Sequence, residues 1–284
     1  MDILKLEAVY KDIIWGGTLL GEEYGKPKQK IAEAWELAVH PEGDNKILEG
    51  SGAGTLSAYL GTSENFPLMI KLIDANDKLS IQVHPVKTEM WIIADCRPGA
   101  KLVYGLKGKF SEEEFRKALA EGKAEELLNY TEVHKGDVFF IPQGLVHAIG
   151  AGILICEIQE NSNVTYRVYD YGRLQNGKPR ELHVDAAMKT IRDFDEAEIE
   201  KIRYSRGKTS ESCLANCDLF KVDRYTVNGR VNISSDADFV SVICLEGSGS
   251  IENTRFSKGD SLFIKGQTGF TINGNADVVV SIPN

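Results

Sequence analysis

The chain has 284 residues and an apolar fraction of 42%, enough for two ordinary domains or one large β domain with sizeable cores. Its formal net charge of −9 comes from 42 acidic and 33 basic residues, which argues against a nucleic-acid surface and against binding to an anionic membrane. No apolar run reaches the roughly 20 residues of a membrane span, and residues 1–10 lack the basic start and apolar centre of a signal peptide. We therefore expect a cytoplasmic protein, a monomer or weak homodimer, whose partner is a small molecule.

Short strand-like runs dominate the chain. They are rich in Val, Ile, Phe and Tyr and are separated by Gly, Asn and Asp. The runs cover residues 67–75, 78–85, 100–106, 137–142, 152–159, 164–171, 221–229 and 239–247. This spacing predicts a mainly β, antiparallel architecture.

Helical patterns interrupt the strands in two places. Residues 111–128 begin with Ser111 and Glu114 in the register of a capping box, so we predict a small helical insertion at about 111–129. A weaker helical pattern over residues 184–203 predicts a helical connector between two halves of the chain.

An internal repeat divides the chain. Residues 135–141 (KGDVFFI) are echoed by residues 258–264 (KGDSLFI), and each copy continues into a Gly-containing hairpin and another apolar strand. This layout predicts two copies of one β-barrel. We place the first domain, with the helical insertion, at residues 1–190 and the second at residues 191–284.

The two copies differ at one position that matters for chemistry. His147 lies ten residues after Asp137, and Phe270 lies ten residues after Asp260. If these positions point into the barrels, only the first copy offers an imidazole there. We therefore expect the first domain to bind metal and the second to lack metal ligands.

Four side chains form a candidate metal site in the first copy. Gln82 and His84 lie two residues apart on a predicted strand and so share one face. His147 follows a turn that returns its strand towards the barrel, and Glu89 supplies a carboxylate. Two imidazoles, one carboxylate and one amide oxygen suit a catalytic zinc or another borderline divalent ion.

The position of Glu89 requires a break in the strand. On an unbroken strand Glu89 has the opposite parity to Gln82 and His84, so it would face away from the metal. We therefore expect a turn or bulge between Pro85 and Lys87.

Several motifs together resemble the type I mannose-6-phosphate isomerases, in particular the short bacterial form of this cupin family. The motifs are KDIIWGG (11–17), AEAWELAVHPEGD (32–44), IQVHP (81–85), KTEMW (87–91), IPQGLVHAIG (141–150) and NVTYRVYDYGR (163–173). The resemblance covers nearly the whole chain. It implies two cupin-type barrels, a bicupin, and the zinc-dependent interconversion of mannose 6-phosphate and fructose 6-phosphate.

The resemblance also assigns residues. Its metal ligands fall on Gln82, His84, Glu89 and His147, with one Zn²⁺ per chain, and its catalytic arginine falls on Arg167. The sequence departs from the family where Val86 alone links Pro85 to Lys87, since other members usually have a longer acidic segment there.

An aldose–ketose isomerisation through an enediolate needs a base, a stabiliser of the oxyanion and exclusion of water. Arg167 cannot act as a base at neutral pH, so we predict that it stabilises the enediolate; an ion pair with Asp170 is the alternative. For the base, Lys87, Glu157 and a metal-bound water remain open.

The phosphate site is less well marked. The sequence has neither a GxxxxGK[ST] loop nor a GxGxxG motif after a strand, so nucleotides are not supported. Isolated side chains remain as phosphate ligands, with Arg173, Lys71 and Ser80 as candidates. Trp15 is either an apolar wall of the pocket or a core residue.

Two other functions fit parts of the pattern. The short link beside Glu89 suggests a non-catalytic sugar-phosphate sensor that keeps the pocket without turnover. A cupin oxygenase is the second alternative, because two His and one carboxylate also hold iron.

Overall fold

The computed structural model describes residues 1–51, 54–62, 64–204, 212–266 and 268–284, and it is mainly β. The helices are α1 (Leu19–Glu23), α2 (Leu56–Leu60), α3 (Glu112–Ala120), a 3₁₀ helix (Ala124–Leu127), α4 (Val184–Thr190) and α5 (Glu196–Tyr204). The strands are β1 (Asp2–Glu7), β2 (Val9–Lys11), β3 (Glu33–Leu37), β4 (Val39–His40), β5 (Gly43–Asp44), β6 (Lys46–Glu49), β7 (Leu68–Ala75), β8 (Ile81–Val83), β9 (Glu89–Cys96), β10 (Lys101–Leu106), β11 (Leu128–Glu132), β12 (Val138–Ile141), β13 (His147–Ala148), β14 (Ile153–Glu160), β15 (Tyr166–Tyr169), β16 (Leu174–Gln175), β17 (Lys178–Pro179), β18 (Cys213–Asn216), β19 (Phe220–Ser235), β20 (Phe239–Ile251), β21 (Thr254–Ser257), β22 (Ser261–Lys265) and β23 (Thr268–Pro283).

Three sheets are stacked face to face. The middle sheet has six strands in the order β12-β9-β14-β7-β3-β2. One of its faces packs on a five-stranded sheet, β11-β10-β13-β8-β15, and the other on an eight-stranded sheet, β18-β19-β23-β20-β22-β1-β6, with β21 on β20. Two short hairpins, β4–β5 and β16–β17, complete the pairing.

The central strands of the middle sheet are covered on both faces. All eight residues of β7 are buried, which explains why its sequence is almost continuously apolar rather than alternating. Lys71 interrupts β7, and Glu157 and Gln159 interrupt the neighbouring strand β14. Because polar groups are costly to bury without partners, their presence on the inner face of this sheet indicates a functional site.

The prediction of two closed barrels is not confirmed. Within the described part of the chain, the strands form separate sheets that pack through their side chains, and none of these sheets closes on itself through hydrogen bonds. The two ends of the chain also share one sheet, since β1 pairs with β22 and with β6. The domain boundary near residue 190 stays a prediction.

The internal repeat is visible as two turns of the same geometry. In the first turn, the backbone N–H of His134 donates to Oδ2 of Asp137 (2.9 Å). Gly136, with a positive φ of 92°, donates its N–H to the carbonyl of Ile93 (2.8 Å). The left-handed backbone at this position favours glycine.

The second turn repeats these contacts. The N–H of Ser257 donates to Oδ2 of Asp260 (2.8 Å), and Gly259, at φ 88°, donates to the carbonyl of Cys244 (2.8 Å). The first KGD turn leads into β12, which pairs with β9, and the second leads into β22, which pairs with β20. After the second turn, Phe270 is buried in an apolar cluster.

The two predicted helical zones are confirmed, with different lengths. Helix α3 begins at the capping box of Ser111 and Glu114, but it ends at Ala120 and is followed by the separate 3₁₀ helix. The connector consists of two helices, α4 and α5, rather than one. No helix in the described ranges is long and apolar enough to cross a membrane.

A buried ion pair ties the N-terminal region to the second repeat. The ammonium of Lys26 lies 2.7 and 2.9 Å from the two carboxylate oxygens of Glu36, and it also donates to the carbonyl of Gly259 (2.7 Å). The side chain of Glu36 is buried, and burial raises the pKa of its carboxyl group despite the opposing charge of Lys26.

Lys26→Met should lower the free energy of unfolding by about 3–5 kcal/mol at neutral pH, because it leaves a buried carboxylate without its cation. A carboxyl group whose pKa is raised in the folded state lowers the stability of the protein as the pH rises from its unfolded-state pKa through its folded-state pKa. The loss of stability caused by Lys26→Met should therefore shrink as the pH falls and Glu36 is protonated. Urea unfolding at several pH values measures this. The double variant Lys26→Met/Glu36→Leu should recover most of the loss, and a single variant as stable as the unmodified protein would contradict the assignment.

Candidate metal centre

The predicted metal ligands lie on two facing sheets, the five-stranded sheet and the middle sheet, and point into the space between them. In β8, Ile81 and Val83 point outward into the apolar cluster beneath α3 and α4, so Gln82 points inward. The chain then leaves the five-stranded sheet at His84 and crosses to β9 of the middle sheet, which begins at Glu89. The expected turn is therefore present, and it turns Glu89 to the same interior as His84.

His147 reaches this interior from β13, which lies between β10 and β8. Its register partner in β8 is Gln82, so the two side chains lie side by side on one face. The Nε2 atom of Gln82 is 3.3 Å from Nε2 of His147.

His84, Glu89 and His147 form a buried triad. Their candidate ligand atoms all lie within 4.8 Å of one another. The two carboxylate oxygens of Glu89 face one imidazole each, with Oε2 at 3.5 Å from Nε2 of His84 and Oε1 at 3.4 Å from Nε2 of His147. The structure thus brings three of the four predicted ligands together.

Backbone carbonyls set the orientation of both imidazoles. Nδ1 of His84 donates to the carbonyl of Val164 and Nδ1 of His147 to that of Leu145, each at 2.9 Å. A proton on Nδ1 leaves the lone pair of Nε2 free, and both Nε2 atoms face Glu89. This is the outer-shell arrangement that usually orients metal-binding histidines.

The protonation states also suit a cation. Burial, followed by the charge of Lys87, lowers the pKa of His84 well below its ordinary value, and burial lowers the pKa of His147. Burial alone would raise the pKa of Glu89, but the nearby Lys87 ammonium lowers it below its usual range. Neutral imidazoles and an ionised carboxylate are the forms that bind metal.

Unsatisfied polar atoms provide an independent test of this site. Nε2 of His84 and both oxygens of Glu89 are buried and make no hydrogen bond with good geometry to any described residue. Lys87 forms an ion pair with Oε2 of Glu89 (2.7 Å), and no lysine or arginine among the described residues pairs with Oε1. Such atoms are costly to bury unless a ligand satisfies them, and the donor set fits a divalent cation.

A cavity of about 490 Å³ adjoins the triad, and it is large enough for a phosphorylated hexose. Gln82 and Lys87, which contact His147 and Glu89, lie in its wall. The wall also contains Glu157 and Arg167, so all three predicted catalytic residues, Lys87, Glu157 and Arg167, line the same space.

Glu157 is held on the cavity wall by its neighbours in the middle sheet. Its Oε2 accepts a hydrogen bond from Nε1 of Trp91 (3.0 Å), and its Oε1 lies 3.4 Å from the ammonium of Lys71 without a hydrogen bond. Burial would lower the pKa of Lys71, but Glu157 and Glu33 raise it, so this lysine stays charged.

Arg167 presents its guanidinium group to the cavity without a carboxylate partner among the described residues. It donates to Oγ of Ser80 (3.3 Å) and to the carbonyl of Glu181 (2.8 Å). The alternative ion pair with Asp170 is not formed, because Asp170 is occupied by Arg173 and Arg180, each at 2.5 Å.

The phosphate candidates are only partly brought together. Lys71 and Ser80 line the cavity, whereas Arg173 does not and is paired with Asp170. Arg180, which the sequence did not single out, lines the cavity beside Arg167. Trp15 is both a core residue and part of the wall, so its two predicted roles are compatible.

A mainly β, cupin-type fold with an internal His–Glu–His metal-site candidate defines the class of the protein. Residues 3–101 match the family model described as phosphomannose isomerase type I, catalytic domain, and residues 210–283 match mannose-6-phosphate isomerase, cupin domain. The chain belongs to the type I mannose-6-phosphate isomerase family.

Individual relatives are similar to this chain over nearly its full length. The chain is 34% identical to mannose-6-phosphate isomerase ManA of Bacillus subtilis, covering 98% of each chain, and 33% identical to the Streptococcus mutans mannose-6-phosphate isomerase, covering 95% of each. A crystal structure of the Bacillus subtilis mannose 6-phosphate isomerase superimposes with a TM-score of 0.84 at 31% identity, covering 99% of each chain. The ManA alignment spans 309 residues, so some residues of that relative have no counterpart in these 284.

Proposed function

We propose that this protein interconverts mannose 6-phosphate and fructose 6-phosphate at the cavity beside the triad. The observation that carries the proposal is the convergence of His84, Glu89 and His147, with unsatisfied ligand atoms, next to a cavity that holds Glu157 and Arg167. Family membership supports the same reaction.

The metal in this proposal is one Zn²⁺ per chain, bound by His84, Glu89 and His147. Two imidazoles and one carboxylate are a common set for catalytic zinc. Gln82 is the proposed fourth ligand, through its amide oxygen; in this structure its amide nitrogen faces His147, so the carboxamide must rotate. When bound, the ion polarises the sugar oxygens and holds them in place.

Glu157 is the proposed base that moves the proton between the two neighbouring sugar carbons. Its Oε1 accepts no hydrogen bond from the described residues, and Trp91 fixes the orientation of the carboxylate. Lys87 suits this role less well, because its ammonium is already engaged by Glu89 and by Oε1 of Gln159 (3.1 Å). The charged Lys71 beside Glu157 keeps that carboxylate oriented.

Arg167 is proposed to stabilise the negative charge of the enediolate. It has a permanent charge and free donors, and burial with the neighbouring Arg180 lowers its pKa, as expected for a cation without an anionic partner. The apolar wall formed by Trp15, Ile73, Leu79 and Ile149 limits water at the reacting carbons. We propose that the phosphate binds on the side of Arg180 and Ser80.

The remaining proposals concern partners and location. A sugar phosphate is the proposed partner, and the net charge of −9 supports neither nucleic acid nor an anionic membrane as a ligand. On the same composition we propose that the protein is cytoplasmic and that it is a monomer or a weak homodimer.

A coupled assay that detects fructose 6-phosphate formed from mannose 6-phosphate, with the protein loaded with zinc, tests the function. We expect turnover that is lost after chelation and restored by zinc. Saturable binding of mannose 6-phosphate without product would instead establish the non-catalytic sensor.

Glu157→Gln should lower kcat by about 10²- to 10⁴-fold while the metal content stays unchanged, because the amide keeps the shape of the side chain but cannot accept the proton. The incorporation of deuterium from D₂O at C2 of the sugar, followed by NMR, should fall in parallel. Glu49→Gln, on the exposed strand β6, is the matched control. If isotope exchange survives in Glu157→Gln, another group, with Lys87 first, is the base.

A further inference from the structure

Gln159 is a buried amide directly beside the metal triad, and neither the sequence nor the proposed chemistry accounts for it. It lies on β14 opposite Glu89 of β9, so the two side chains stand next to each other on the inner face of the middle sheet. Glu157, two residues earlier on the same strand, shares this face.

All polar groups of this amide are engaged, which fixes its orientation. Nε2 of Gln159 donates to the carbonyls of Glu160 (2.8 Å) and Ser162 (2.7 Å), and Oε1 accepts a hydrogen bond from Nζ of Lys87 (3.1 Å). The reverse orientation would place the amide oxygen against two carbonyl oxygens, so the observed one is set by chemistry.

The first arm of this network leads to Glu89. The ammonium of Lys87 lies between Oε1 of Gln159 and Oε2 of Glu89, the latter at 2.7 Å. Because the amide is neutral, it holds the ammonium without competing with Glu89 for its charge. The position of Lys87 in turn decides which oxygen of Glu89 is left for a cation.

The second arm leads to His84. The segment that follows Gln159, residues 160–165, is held by the Gln159 amide, and its Val164 carbonyl accepts the Nδ1 proton of His84 (2.9 Å). The same segment is tied to the rest of the cavity by Asn163, which donates to Glu42 (2.8 Å). One side chain therefore supports the surroundings of two ligands.

We propose that Gln159 is a positioning residue for the metal centre, which orients Lys87 against Glu89 and fixes the segment that orients His84. The proposal rests on the metal site proposed above. It assigns to Gln159 an effect on zinc affinity as well as on stability, since partners of this kind set the orientation and basicity of metal ligands.

The test is the affinity of the purified protein for Zn²⁺, measured by competition with a chromogenic chelator, in Gln159→Met. This variant preserves side-chain length but removes all three hydrogen bonds, and we expect affinity to fall by about 10- to 100-fold. Asn45→Leu is the matched control, because Asn45 is also a buried amide with three hydrogen bonds, to Ala38, Glu7 and Trp35, away from the triad. It should lose thermal stability and keep its zinc affinity.

Unchanged zinc affinity in Gln159→Met would overturn the proposal. If that variant does not fold, Gln159→Asn keeps the amide but shortens the side chain by one methylene, and its affinity should fall in the same direction. Failure of the metal site itself would be recognised separately, because the unmodified protein would then bind no stoichiometric zinc.

Discussion

His147→Phe is expected to abolish stoichiometric zinc binding and to lower turnover by about 10³-fold or more, while the protein still folds. The substitution removes one of three ligands and copies the residue found at the equivalent position of the second repeat, Phe270. Loss of a Lewis acid worth several kcal/mol in the transition state corresponds to a rate loss of this size. Elemental analysis, the isomerase assay and thermal unfolding should be run on the same preparations.

The fold should survive because the ring of His147 packs edge-on against Trp91, a contact that a phenyl ring can also make, although the Leu145 carbonyl loses its donor. His134→Phe is the control, since His134 is exposed and lies outside the triad. It should keep both metal and activity. One zinc per chain in His147→Phe would remove His147 from the ligand set.

Arg167→Ala is expected to keep the metal and to lower kcat by about 10²- to 10³-fold, the usual effect of removing a donor that stabilises an oxyanion. Arg167 contacts no member of the triad, and its hydrogen bonds go to Ser80 and Glu181. The loss should therefore appear mainly in kcat rather than in zinc content. Steady-state kinetics and elemental analysis measure the two quantities.

Arg167→Lys tests the geometry of the same group. Lysine keeps the charge but lacks the planar fork of donors, so only part of the activity should return. Arg116→Ala, in the exposed part of α3, is the control and should be fully active. A normal kcat in Arg167→Ala would show that Arg167 does not stabilise the enediolate.

Much of the site could be predicted because strand alternation is a local rule. The two-residue spacing of Gln82 and His84 placed both on one face, and the parity of Glu89 required the turn that the structure shows. The repeat aligned two KGD turns that make the same hydrogen bonds in the structure.

Other features depend on long-range pairing that no local pattern records. No strand was predicted from the sequence at β1, and its place in the sheet of the second half is decided by pairing with β22. Arg180 lies in an irregular segment without periodicity, so nothing near it indicates that Asp170 holds it at the cavity. The position of Gln159 could have been predicted from the sequence, because it lies two residues after Glu157 on one strand and so shares its face.

The closure of the sheets could not be inferred from the repeat. A repeated turn and strand fix which strands pair locally, whereas closure depends on whether sheet edges meet. In the described part of the chain the edges β11 and β15 bound a separate five-stranded sheet. The layered packing still places Gln82, His84 and His147 opposite Glu89, which is what the chemistry requires.

Anomalous diffraction from crystals of the zinc-loaded protein, collected on both sides of the zinc absorption edge, tests the metal centre most directly. We expect one peak per chain, bonded to Nε2 of His84, Nε2 of His147 and the carboxylate of Glu89, and present only above the edge. A protein that is active yet shows no peak between these three side chains, or a peak elsewhere in the chain, would contradict the account.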